Sequence, residues 1–216
     1  MRVNWIMGSA ARRVEATMRA EWKKLAAKVV LAVALMPCAA QDAGIYPALL
    51  AKANAGDAAA QVTVGEHFAQ AAWTDHDREQ VANDYTQALA WYRKAANQNY
   101  IPGELHLAAL YRDGGKGFSR DMAQAASWYK KAAEQGDVGA QATLGVLYSM
   151  GQGVPHSDVE AYFWLDIAAH AKGPDQEKYA ANRQMIGTHI TQDELDDVQE
   201  RVAKWLAAHP RPNASE

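Results

Sequence analysis

A glycan-cleaving reading of this sequence has to begin with Glu66 and Glu104, because hydrolysis of a sugar bond needs two carboxylates converging on it. They fall in successive helices at non-equivalent positions, which gives convergence little support. The seven histidines (His67, His76, His106, His156, His170, His189 and His209) are scattered, and none belongs to an HExxH metalloprotease pattern. Asp75-His76-Asp77 offers ligand-type side chains, but three adjacent residues seldom converge on one ion, and a solvated loop accounts for them better. Gly114-Gly115-Lys116-Gly117 is similar to a phosphate cradle only in composition, since the helix after it opens at Asp121, whose carboxylate repels an anion. Trp91, Trp128 and Trp164 could stack on sugars, but their strict spacing argues for packing between structural units. The residues thus give no catalytic set, no metal site and no cofactor pattern, and the expectation is a protein that is not an enzyme.

The elements that carry these residues repeat. Trp91 heads WYRKAA, Trp128 heads WYKKAA and Trp164 heads WLDIAA, at spacings of 37 and 36. Sixteen residues after the first two Trp come Leu107 and Leu144, and four further on Tyr111 and Tyr148; Val64, Gly65 and Phe68 form a looser upstream copy. A period of this size marks a solenoid array. Seven residues before each Trp stands a capping type, Asp84, Asp121 or Ser157, followed three later by Gln87, Gln124 or Glu160, a helix-start signature in each unit. Gly56-Asp57 and Gly136-Asp137 end one helix and cap the next. Helix–turn–helix pairs stacked side by side make an all-α fold, an α-solenoid of antiparallel pairs. Thr191-Gln192-Asp193-Glu194 opens a last helix with Leu195, Val198, Val202, Trp205 and Leu206 on one stripe, which predicts a C-terminal helical cap.

The string from Ala140 to Ala169 resembles a Sel1-like repeat, a relative of the tetratricopeptide repeat, through Leu144, Gly145, Tyr148, Gly151, Gly153, Val154, Ala161, Trp164 and Ala168-Ala169. The unit from about Gly103 to Ala133 matches with Ala108 for the Gly and Phe118 for the Val. The first unit departs: its inner loop is six to seven residues longer and lacks the two glycines. The resemblance covers roughly residues 45–171. It divides a single domain, 41–216, into a half-unit at about 45–56, repeats at 57–99, 100–136 and 137–172, capping helices at 173–208 and a tail at 209–216.

A solenoid of this kind curves, and the resemblance implies that its first helices line a groove for another protein or peptide. Opposite the inward-packing arc of each first helix stand Thr63, Glu66 and Gln70 in the first unit, His106 and Ala109 in the second, and Thr143, Val146 and Met150 in the third. These are the expected groove residues. The irregular stretch Ala69 to Asn83, read as a loop, adds Trp73 as a second candidate contact. The resemblance implies an adaptor or regulator; exported family members that protect against secreted lipase effectors make an immunity protein the alternative. The partner is then a secreted toxin or a cell-envelope protein. Cysteine-rich members carry a disulfide in each unit, which one cysteine cannot supply.

Charge points the same way. Residues 1–40 carry seven basic and two acidic side chains, whereas the rest carries 15 and 23. A domain this acidic repels phosphate backbones, which argues against a nucleic-acid partner. Within the first forty residues a basic run (Arg19, Lys23, Lys24, Lys28) precedes apolar Val29 to Met36 and then Cys38-Ala39-Ala40. That order is the signature of a signal peptide cut after Ala40, with Met18 as the expected start, and it predicts a periplasmic or secreted protein. A lipoprotein through Cys38 fits less well, because Pro37 precedes the cysteine; a retained anchor would need a longer apolar run, so no stable membrane span is expected in the mature chain.

Overall fold

The computed structural model describes residues 47–74, 77–115 and 119–210; the expected signal segment and the tail beyond Pro210 lie outside them. Nine helices occupy the described residues: α1 (Pro47–Asn54), α2 (Ala58–Thr74), α3 (Arg78–Ala96), α4 (Ile101–Asp113), α5 (Met122–Glu134), α6 (Val138–Met150), α7 (Asp158–Ala169), α8 (Gln176–Gly187) and α9 (Gln192–Ala208). From α1 to α8 each helix packs on the next in sequence, α2 also touches α4, and α9 returns onto α7. This is the all-helical solenoid of stacked pairs that the period implies. None of these helices is long and apolar enough to cross a membrane.

Local chemistry sets most of the boundaries. Asp57, Asp121, Asp137 and Ser157 each accept a backbone amide three residues on, at 2.8, 3.0, 2.7 and 3.2 Å. These bonds satisfy amides that a helix start leaves without partners. Gly136 turns the chain between α5 and α6 with φ of 96°, a conformation that side chains rarely adopt. Thr191 and Glu194 form the reciprocal box at the start of α9.

The first unit corrects the sequence reading twice. Asp84 does not cap a helix; it lies inside α3, 3 % exposed, where its Oδ1 accepts from Gln80 Nε2 at 2.9 Å. The cap is Asp77, whose carboxylate accepts from the Glu79 amide. The extra residues of this unit are therefore largely helix: α2 and α3 run to 17 and 19 residues, against 13 in each of α4, α5 and α6. Added turns let the longer pair keep its packing without a long unpaired loop.

Between the helices the recurrent residues form the core. Leu107 and Leu144 are wholly buried, each contributing about 1.5–3 kcal/mol of apolar burial. Ala95-Ala96, Ala132-Ala133 and Ala168-Ala169 are buried as well, because small side chains let the helix rows approach closely. Trp91 and Trp164 are buried; Trp128 is only half-buried and is covered by Lys131, whose Nζ lies 3.8 Å from the ring centroid. From Ala161 to Ala169 every residue of α7 is buried, since α6, α8 and α9 enclose it.

Candidate protein-binding face

The first helices of the first two units, α2 and α4, touch one another, and the expected groove residues lie along α2, α4 and α6. Thr63 and Glu66 of α2 are exposed, as is Gln70. His106 of α4 is half-buried, and its Nε2 lies 3.1 Å from Glu66 Oε1. The structure thus joins two residues that sequence reasoning had placed in separate units. His106 also stacks on Tyr92 of α3, with centroids 4.8 Å apart and planes 11° from parallel. Burial pushes the Tyr92 hydroxyl well above the ordinary tyrosine range, and the Glu66 carboxylate adds to the shift. Tyr92 reaches this place because residue 65 is glycine: a Cβ there would sit 2.6 Å from the tyrosine ring.

Further along, α6 and α8 enclose a cavity of about 290 Å³, lined by Ala142, Thr143 and Val146 from α6 and by Lys178, Tyr179 and Asn182 from α8. Thr143, one of the lining residues, donates its hydroxyl back to the Gly139 carbonyl at 2.8 Å. Tyr179 also borders a second hollow of about 220 Å³ beside Gly173-Pro174. Met150 of α6 and Met185 of α8 are 62 % and 58 % exposed, the large apolar side chains left most open among the described residues. Of the expected groove residues Thr143, Val146 and Met150, the first two line this cavity; sequence reasoning treated α8 as a cap and did not single out Lys178, Tyr179 and Asn182. The apolar character of Tyr179 was the only signal for them.

Other expectations fall elsewhere. Trp73 belongs to the last turn of α2, and its side chain lies outside the described residues, as do Asp75 and His76. Glu104 is fully buried and shares no site with exposed Glu66, so these two carboxylates do not form a hydrolytic pair. No three or more His, Cys, Asp or Glu side chains among the described residues are placed to hold a metal ion. A cavity of about 390 Å³ between α7, α8 and α9 contains Tyr162, Asp166, His170 and Arg183. There Arg183 Nη1 donates to buried Asp166 Oδ1 at 2.7 Å, and the carboxylate in turn raises the Arg183 pKa, so both charges are met internally.

Residues 76–100, 102–137 and 138–172 match the family model described as Sel1 repeat. Among solved structures, the chain is similar to a protective antigen of uropathogenic Escherichia coli strains that displays an SLR fold, at 23 % identity and a TM-score of 0.49, over 78 % of this chain and 44 % of that one. The chain therefore spans under half the length of that relative. A Sel1 repeat protein from Oxalobacter formigenes is 28 % identical with a TM-score of 0.49, over 60 % of this chain and 92 % of its own. No curated protein matches the sequence. Three consecutive matched units on a framework of stacked helix pairs show that residues 76–172 of this chain are built of Sel1 repeats, which generally mediate protein interactions.

Proposed function

We propose that this chain is an exported, non-enzymatic scaffold that binds a segment of another protein along the face formed by α2, α4, α6 and α8. The observation that carries the reading is the α6–α8 cavity with Met150 and Met185 exposed on the same two helices. Exposed apolar surface on a folded protein has a hydration penalty that a partner removes, and methionine adapts its shape to varied partners. A hollow of this size takes one or two side chains of a bound segment, with Lys178 available to a carboxylate beside them. Export is supported by the basic–apolar–small order of residues 19–40.

Affinity capture with the full-length tagged protein tests the reading. Thr143→Arg fills the cavity, and combined with His106→Glu it places a like charge beside Glu66. This double variant is expected to lose the captured partner while melting within a few degrees of the parent. Capture unchanged in the double variant would move binding off this face. A captured secreted lipase would make the scaffold an immunity protein; an envelope protein would make it an adaptor.

A further inference from the structure

A polar link recurs at two of the junctions between units. Gln61 Nε2 donates to the Ala53 carbonyl at 3.0 Å, and Gln141 Nε2 donates to the Ala133 carbonyl at 3.1 Å, each eight residues back at the end of the preceding helix. Those two carbonyls also accept the amides of Gly56 and Gly136. Glu104 stands at the same place in the second unit, three residues before Leu107 as Gln61 precedes Val64 and Gln141 precedes Leu144. Eight residues back from it is Ala96, whose carbonyl likewise accepts the Asn99 amide. The start of α4 is pressed against that turn, since a Cβ on Gly103 would lie 2.7 Å from Ala95 Cβ and 2.9 Å from the Ala96 nitrogen.

Glu104 is wholly buried. Its Oε2 accepts from Gln135 Nε2 at 2.7 Å, as Gln61 Oε1 accepts from Gln98 Nε2 at 2.8 Å. Its Oε1 is the one buried side-chain polar atom among the described residues with no hydrogen-bond partner. An ionised carboxylate can only accept, so it cannot serve a carbonyl as the two glutamines do. A protonated carboxyl can: it has one oxygen to accept from Gln135 and one hydroxyl to donate.

We propose that Glu104 is a neutral carboxylic acid in the folded protein, its Oε1 hydroxyl donating to the Ala96 carbonyl, and that loss of this proton loosens the joint between the first and second repeats. Desolvation raises its pKa and is the largest influence; the Gln135 bond and Lys131 act against it, and Glu134 acts with it. These two α5 side chains are the charges that bear on the site, and beside Gly103 the facing end of α3 contributes Ala95 and Ala96. The sign follows. From the ordinary value of 4.5 upward, the unfolded chain loses the proton before the folded one does, so stability falls as pH rises and levels off above the folded pKa.

Glu104→Gln restores the amide used by the neighbouring repeats, which makes it a variant expected to fold. The test compares melting midpoints of the full chain and of E104Q from pH 4 to pH 9. The expected result is an advantage for E104Q that grows with pH and then levels off, with faster amide exchange at the α3–α4 junction of the parent over the same range. The infrared carbonyl band of a protonated carboxyl, present in the parent at neutral pH and absent in E104Q, reports the proton directly. A midpoint difference independent of pH, or a parent without that band at neutral pH, overturns the proposal.

Discussion

Glu66 Oε1 and His106 Nε2 lie 3.1 Å apart, linking α2 to α4 across the face on which the first helices meet. Both side chains are 40 % exposed or more, so solvent screens the pair and it contributes less than about 1 kcal/mol. The stack of His106 on Tyr92 adds about 0.5–1.5 kcal/mol. His106→Ala is therefore expected to lower stability by about 1 kcal/mol, and Glu66→Gln by less, since it keeps the stack. Urea unfolding of both single variants and the double variant measures the coupling. A larger loss for Glu66→Gln would make the Glu66–His106 contact, not the ring stack, the main one.

The three repeat tryptophans should not be equal. Trp91 and Trp164 are buried, and truncation of either to alanine is expected to cost about 3–5 kcal/mol through the cavity it leaves. Trp128 is half-buried beneath Lys131, so Trp128→Ala should cost about 1–3 kcal/mol, since part of its site opens to water. Denaturant titration ranks them. Equal losses for Trp91 and Trp128 would contradict the difference in burial.

At the C-terminal cap, Asp166 is 5 % exposed and Arg183 is its nearest cation at 2.7 Å. Arg183→Ala strands a buried carboxylate, whereas the double change with Asp166→Asn leaves no charge behind. Because the guanidinium is about one third exposed, the single loss is put at about 1–3 kcal/mol, below that of a wholly buried pair. Thermal unfolding is expected to show partial recovery in the double variant. A double variant worse than the single one would show that Asp166 matters through its other contacts, such as His170.

The repeat made the helix pairs legible, because Trp, the alanine pair and the Gly-Asp turn recur for one packing reason. Asp121, Ser157 and Thr191 announced their helices through side chains that satisfy free amides. Asp84 has the same spacing to Gln87 yet sits mid-helix, because a short capping pattern also occurs by chance inside helices and the stronger start lay at Asp77. In sequence Glu104 stood out only as half of a carboxylate pair with Glu66; its burial and the amides at Gln61 and Gln141 reveal what its position needs. Lys178 and Tyr179 were hidden for a different reason. The α8 sequence does not follow the repeat, so nothing in its spacing aligns it with α6, although the two helices share a cavity.

The central claim is that a partner protein seats on α6 and α8. Site-specific photo-crosslinking tests it most directly, with a benzophenone side chain placed in turn at Met150, at Met185 and, as a control, at Glu200 on the exposed side of α9. The account predicts one discrete adduct of the same mass from Met150 and Met185 and none from Glu200. An adduct from Glu200 alone, or none from either methionine in cells that contain the partner captured by the parent chain, would contradict it.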